Sequence, residues 1–387
     1  MRKLASIQRI KSVHPIEGAD RIEMVQVLGW QCVANKGQFK EGDLCVYFEI
    51  DSFLPIRPEY EFLRQSSFKD SPILGEGFRL KTMKFRGQIS QGLVLPLEAV
   101  GIIRVDNGDD FDNARDFVFR SEGNPDVEMI DVIRATSFNN LTLEGTDVTS
   151  LLGVREWEIP ERVSTGGTIK GTLPYCIHKT DETRIQSMPE LLEEFKGIPY
   201  YITTKYDGTS CSVAIDNNGE FHVTGHNFEY KDDGNSAFYE FVKKKNVEKK
   251  LRDYIRRYDL DSITVQGEFC GDGIQKNRLK LQKPDWFIFT VDENGKRVGW
   301  NELCDVANEC ELRTVDCQET GSDLTLMYPT ADSLVERAMN SRDYTKAYGG
   351  GQPEGIVIRP LTPVYSKTLG GNLSIKVINN KYLIKNE

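Results

Sequence analysis

Residues 198–224 read IPYYITTKYDGTSCSVAIDNNGEFHVT, and this stretch decides the architecture of the second half of the chain. Ile198 to Thr204 is a strand candidate that ends at Lys205-Tyr206-Asp207-Gly208. Ser212 to Ile215 and Phe221 to Thr224 then flank Asn217-Asn218-Gly219, a strong hairpin signal because asparagine and glycine tolerate the positive φ of tight turns. Downstream, residues 235–257 have a helical and highly charged pattern. Strands are expected again at 263–269, 286–291, 355–360 and 373–378, with helices near 300–310 and 331–341. Strands mixed with helices in this way predict an α+β domain.

Upstream the pattern is different. Residues 1–100 are short alternating strands broken by turn chemistry: Ile22 to Val27, Trp30 to Ala34, Leu44 to Ile50 after Gly42-Asp43, and Ser90 to Pro96. That spacing predicts a small β-barrel. The acidic run DNGDDFDNARD at 106–116 is expected to be a surface insertion. VSTGGTIKGT at 163–172 has linker composition and sets the predicted boundary. The expected organisation is therefore 1–162 as a barrel domain with an insertion near 101–145, a linker at 163–172, and a second domain at 173–387.

A length of 387 residues is enough for two domains with separate cores. No apolar run approaches the roughly 18 residues of a membrane helix, and the N-terminus lacks a secretory apolar stretch, so a soluble intracellular protein without a membrane partner is expected. None of the eight cysteines forms a CxxC pair, which predicts reduced thiols. His222 and His226 are four apart without a neighbouring ligand pair to complete a zinc site. The net charge of −10 argues against a generic phosphate-binding surface and requires any nucleic-acid contact to come from locally converging basic residues.

The tetrapeptide at Lys205 carries the chemistry. By chance alone, a K-x-D-G match turns up in roughly one chain in ten of this length, and an exposed hairpin lysine would look the same. A lysine amine can attack an α-phosphate and hold the nucleotide through a phosphoramide bond. At an ordinary lysine pKa only about one amine in a few thousand is neutral at pH 7, so burial or nearby positive charge must favour the neutral form. Asp207 suits the water shell of a metal ion or a ribose, and Gly208 lets the backbone pass close to a nucleotide. Gly267-Glu268-Phe269 supplies a strand-end carboxylate, and Glu354-Gly355-Ile356-Val357-Ile358-Arg359 another at the head of an apolar strand, suited to a divalent metal. In Phe287-Ile288-Phe289-Thr290-Val291 one phenylalanine is free to face a base while the other packs inside; both in the core is the plainer alternative. Ser374-Ile375-Lys376-Val377-Ile378 puts a lysine inside an apolar strand, where its charge needs a partner such as triphosphate oxygens.

These five segments, in this order, resemble the covalent nucleotidyltransferase superfamily of DNA ligases, RNA ligases and mRNA capping enzymes. The nearest resemblance is to RNA ligase family 5, in which an OB domain precedes the nucleotidyltransferase domain. In the first domain it rests on Ile16 to Ile22 (IEGADRI), Gly42 to Ser52 (GDLCVYFEIDS) and Arg86 to Leu93 (RGQISQGL); at the junction it rests on Leu151 to Val154 (LLGV) and Lys179 to Gln186 (KTDETRIQ). The resemblance implies an α+β protein with an OB-type β-barrel followed by an ATP-grasp-like nucleotidyltransferase domain with antiparallel sheets and flanking helices. It implies no OB domain after the last strand. By that resemblance Lys205 is the AMP-accepting nucleophile, and Lys376 stabilises charge on the α-phosphate and the departing pyrophosphate. Arg184 helps bind phosphate, Glu268 contacts the ribose or metal waters, Phe289 stacks on adenine, and Asp207, Glu268 and Glu354 support Mg2+ or Mn2+ directly or through water.

Two departures from the pattern stand out. Related ligases often carry an arginine in the strand after the lysine motif, where this chain has Gly225-His226-Asn227. Some also carry a second lysine two positions after the first in the last motif; here that position is Ile378, with Lys381 the nearest replacement. For nucleic-acid contact, Arg79, Lys81, Lys84 and Arg86 alternate with apolar residues, which would place them on one strand face beside a duplex or single strand. The charged run from Lys243 to Arg257 is expected to be an ordinary helix exterior. The function expected is a monomeric ATP-dependent RNA ligase that joins 3′-OH and 5′-phosphate ends, with a nicked RNA-containing duplex as partner. The rivals are a DNA ligase or capping-type enzyme, and a nucleic-acid-binding protein without catalysis.

Overall fold

The fold is that of a computed structural model, which describes residues 2–105, 113–121, 125–136, 142–157, 167–179, 182–340 and 353–386. The chain forms two compact units, Met1–Pro160 and Glu161–Asn386.

The first unit is built on a five-stranded antiparallel sheet in the order Leu93–Pro96, Leu44–Phe48, Ala5–Pro15, Ile22–Val27, Trp30–Asn35. Its long first strand serves two neighbours: residues 5–9 pair with 44–48, and residues 10–15 pair with 23–27. The register slips between Ile10 and Ser12, and such an irregularity bends a strand and lets a sheet curl into the OB-type half-barrel. Alternation decides which face is inside: Val25, Val27, Trp30, Cys32 and Ala34 are buried and their neighbours are not. The segment after the barrel adds to the core of this unit. Residues 106–112 lie outside the described residues, but Ala114 is fully buried and Phe117, Phe119, Met129, Ile130 and Ile133 join the unit's apolar core. The acidic residues around this segment masked an apolar set that a short sheet and the helix Met129–Thr136 turn inward.

Among the described residues, the second unit is built on two large sheets, beside a small hairpin of Tyr365–Ser366 with Gly371–Asn372. One has the order Ile169–Thr172, Phe228–Tyr230, Phe221–Thr224, Thr209–Ile215, Ile263–Cys270, Asp285–Glu293, Lys296–Arg297. The other has the order Thr183–Arg184, Ile375–Ile378, Gly355–Pro360, Tyr200–Lys205, Cys317–Gly321. The expected hairpin forms, with Gly219 at φ 76° in its turn. Residues 169–172, which have linker composition, instead pair with 228–230 as a strand, because the open edge of the sheet accepts their backbone hydrogen bonds. The charged region is two helices, Ala237–Lys244 and Val247–Tyr258, separated by Asn246 in the left-handed region. Val247, Leu251 and Tyr254 recur at helical spacing on the buried side, while Arg252–Glu248 and Arg257–Glu309 ion pairs cover the exterior. All eight cysteines are free thiols. Among the described residues, no helix is long and apolar enough to cross a membrane.

Candidate active site

Antiparallel register assembles one wall of the site. In the second sheet Tyr201 lies opposite Arg359, Thr203 opposite Val357 and Lys205 opposite Gly355, while Val357 also faces Lys376. Alternate residues of neighbouring strands share a face, so Thr203, Lys205, Val357, Arg359 and Lys376 line one cavity. Gly355 is required at its position, since a Cβ there would lie 2.2 Å from the Val377 carbonyl oxygen. Its neighbour Glu354 meets Lys205 end-on, with Nζ to Oε1 at 2.7 Å.

The opposite wall comes from the other sheet. Ser210 and Glu268 face each other across the ladder and both line the cavity. The next strand pairs Thr290 with Gln266 but Ile288 with Gly267, which leaves Phe289 as the extra residue of a bulge. The bulge separates the two phenylalanines. Phe289 lines the cavity, whereas Phe287 is buried edge-on against Tyr206 at 4.8 Å. Glu182 and His226 also line the cleft, whose cavity volume is about 200 Å3.

Charge is closely balanced in this cavity. Burial alone would lower the pKa of the Lys205 amine, but the Glu354 and Glu268 carboxylates outweigh it and hold the ammonium above the usual lysine range. Burial pushes the Glu268 carboxyl up to about 8; Lys205 pulls it down and the nearby Glu354 charge pushes it further up. Burial also raises Glu354, against the pull of Lys205. Glu182 moves the other way: burial opposes ionisation, but Arg359 and Lys376 hold it below the usual carboxylate range. Arg359 donates to Glu182 and, at 2.9 Å, to the Phe289 carbonyl. It therefore ties the two sheets together behind the bulge.

Not every residue singled out in the sequence reaches the cavity. Lys205, Glu268, Phe289 and Lys376 line it, and Glu354 contacts it through Lys205. Asp207 is instead ion-paired to Arg278, whose guanidinium sits 4.8 Å from the Tyr382 ring centre. Gly208 does allow a close backbone approach, but to protein: a Cβ there would meet the Phe269 carbonyl oxygen at 2.5 Å, and its N–H donates to Glu268 Oε1 at 3.0 Å. Arg184 is in parallel register with Lys376 and is not among the lining residues. His226 lines the cavity; Ile378 is buried in its strand, and Lys381 is exposed on the helix Asn380–Asn386. Arg359 and Glu182 carry a central ion pair that the sequence reading gave no role, although a buried-strand arginine and a glutamate just ahead of Arg184 were visible there.

The basic segment of the first unit is also rearranged. Arg79 ends the strand Gly75–Arg79, Lys84 lies in the separate hairpin strand Thr82–Phe85, and Arg86 sits in its turn at φ 48°. The four cations therefore do not share one strand face, because the chain changes sheets after Leu80. Arg79 is ion-paired to Asp51 at 3.2 Å and lies 5.2 Å from the Trp157 ring centre. Lys84 and Arg86 are exposed.

Family profiles agree with this division. Residues 4–97 match an OB-fold domain profile, and residues 198–378 match the profile described as RNA ligase. The chain belongs to the RNA ligase family. Its ligase strands, from Tyr200 to Ile378, are those that build both walls of the cavity. An apo form of the Naegleria gruberi RNA ligase is 28% identical to this ligase, with a TM-score of 0.78 over 100% of this chain and 98% of that one. A variant of the same Naegleria enzyme with ATP and Mn matches at 28% identity and TM-score 0.75, covering 99% and 98%. Its complex with PPi matches at 28% and 0.76, covering 100% and 99%. No curated protein matches the ligase.

Proposed function

We propose that this chain is an ATP-dependent RNA ligase that seals 5′-phosphate to 3′-hydroxyl ends, at nicks in duplexes, through lysyl-AMP on Lys205. The carrying observation is the placement of Lys205 in a single cavity with Glu268, Phe289 and Lys376, and in contact with Glu354. That the Naegleria enzyme, of matching length, was solved with ATP and Mn, and with PPi, supports the choice of nucleotide, metal and leaving group.

The steps follow from the residues. The Lys205 Nζ lone pair attacks the α-phosphorus of ATP, forming a P–N bond as the bond to pyrophosphate breaks. Lys376 faces the same cavity and offsets negative charge on the α-phosphate and the departing pyrophosphate. Phe289, raised out of the ladder by its bulge, presents a ring for the adenine. A 5′-phosphate oxygen then takes AMP from Lys205, and finally a 3′-hydroxyl attacks that phosphate and releases AMP.

The donor set fits Mg2+ or Mn2+. Two recessed carboxylates, Glu268 and Glu354, lie beside one ammonium, and oxygen donors of this kind suit a hard divalent cation. These two residues would hold the ion directly or through water, with Asp207 contributing once freed from Arg278. The ion supplies positive charge that neutralises phosphate oxygens and weakens the carboxylates' hold on the Lys205 proton. Lys84 and Arg86 of the first unit are the exposed cations proposed to meet the nucleic-acid backbone.

The test is incubation with α-labelled ATP and magnesium or manganese, followed by sealing of nicked duplexes that differ only in the sugar of the 3′-OH strand. Wild type should acquire label, Lys205→Ala should not, and an RNA 3′-OH strand should be preferred. Absence of label in wild type, or equal label in Lys205→Ala, defeats the reading. Preference for a DNA 3′-end would move it to the DNA ligases.

A further inference from the structure

The turn of the 209–224 hairpin carries a second set of metal-ligating side chains, none of which lines the Lys205 cavity. The ligand atoms of Asp216, Glu220 and His222 all lie within 4.8 Å of one another, the only such trio among the described residues. Asp216 and His222 are buried, at 2% and 7% exposure, while Glu220 is exposed. In the sequence His222 and His226 lack a neighbouring ligand pair; in the fold His226 lines the Lys205 cavity and His222 meets carboxylates instead.

The tautomer of the neutral ring follows from its neighbours. Glu229 Oε1 receives both the Lys170 ammonium and His222 Nδ1, each at 2.8 Å. A carboxylate held by an ammonium is ionised and can only accept, so Nδ1 carries the proton. Nε2 then turns a lone pair inward. That atom is buried, makes no hydrogen bond, and stands 3.7 Å from Asp216 Oδ2. This is beyond the range of a hydrogen bond. It is close to the edge of a tetrahedral metal site, about 3.4 Å for bonds of ~2.1 Å. Asp216 Oδ1 accepts from the Asn218 and Glu220 backbone N–H groups at 2.9 and 2.8 Å, which fixes the carboxylate; Oδ2 accepts from the Asn218 side-chain amide at 3.3 Å and keeps a second lone pair for an ion beside the ring.

A lone pair and two carboxylates converging on one point repel one another unless a cation lies between them. The geometry points to a divalent transition-metal site in this ligase, of the zinc, cobalt or manganese class. His222 Nε2, Asp216 Oδ2 and the Glu220 carboxylate are its protein ligands, and water fills the remaining positions. Glu229, itself held by Lys170, is the positioning residue that sets the imidazole tautomer and ring direction. The ion pins the hairpin turn, and the exposed Glu220 is its point of entry.

The full chain, stripped of metal and free of nucleotide, is titrated with Co2+ and followed by visible absorption. Apart from any Co2+ held by Glu268 and Glu354, one equivalent should bind with the spectrum of imidazole-coordinated cobalt and be displaced by Zn2+. His222→Gln should abolish that spectrum, and Glu229→Gln should weaken binding about 10- to 100-fold. Glu220→Ala, at an exposed position, should weaken it at least tenfold while labelling by ATP stays at the wild-type level. The assignment is overturned if wild type shows no stoichiometric imidazole-coordinated Co2+. It is equally overturned if Glu220→Ala and His222→Gln both keep the wild-type spectrum and affinity.

Discussion

Two sets of charged residues were legible in the same sequence, and the fold treats them in opposite ways. Lys205, Glu354 and Lys376 are far apart along the chain, yet consecutive strands of one sheet bring the two lysines onto one face and set Glu354, at a strand head, against Lys205. Arg79, Lys81, Lys84 and Arg86 lie within eight residues of one another, yet a strand end, a linker, a hairpin and a turn disperse them. Closeness in sequence is therefore the weaker guide. A lysine inside an apolar strand must be given a partner by its fold, so it marks a convergence point. An alternating basic run near a turn carries no such constraint.

The sharpest way to break this contrast is Lys376→Ala. If convergence is what matters, the rate of lysyl-AMP formation should fall about 10²- to 10³-fold, as for loss of one transition-state cation contact, with thermal stability little changed. A drop under tenfold in single-turnover labelling would leave Lys376 as a mere resident of the wall. The paired phenylalanines come next. Phe289→Ala should weaken ATP binding about tenfold through lost stacking, whereas Phe287→Ala should cost about 3–5 kcal/mol of stability by opening a core cavity. Titration of ATP binding together with denaturant unfolding distinguishes the two; equal effects would deny the bulge its sorting role.

The pH response gives a smaller signal with a definite sign. Glu268 keeps its proton in the folded protein up to about 8, while an unfolded carboxylate loses it in the ordinary acidic range. Between those limits the native state binds more protons, so this contribution to stability is complete at low pH and is lost as pH rises through about 8. In metal-free, nucleotide-free protein the melting temperature of wild type should fall across pH 5–8.5 relative to Glu268→Gln. Parallel curves would show that Glu268 is not the group responsible.

The smallest effects are expected in the first unit. Arg79→Ala removes the Asp51 ion pair and the Trp157 contact and should cost about 1 kcal/mol, seen as a melting shift of a few degrees. Lys84→Ala should leave melting unchanged and reduce the salt dependence of nucleic-acid binding by a slope of about one. The reverse assignment would restore the single-face reading of this segment.

Several features of the fold could be read directly from residue order. Alternation exposed the barrel strands, Asn217-Asn218-Gly219 marked its hairpin, and the helix exterior from Lys243 to Arg257 was plain from interleaved charge. Ile169–Thr172 was misread because glycine and threonine look like linker wherever a sheet edge is not in view. The buried apolar set between Ala114 and Ile133 was obscured by neighbouring acidic residues.

By itself, residue order determined the strands, their sequence along the chain, and which side chains had the chemistry for nucleotide transfer. It did so because those properties depend on local pattern and on functional groups. Only the tertiary structure decided that Phe289 and not Phe287 faces the cavity, that Arg359 grips Glu182, that Arg278 claims Asp207, and that His222 looks toward Asp216. Each of those outcomes depends on cross-strand register, a bulge or a tight turn. These bring together atoms that are distant in sequence or oriented by the fold, and no short window of sequence contains the backbone geometry that aligns them.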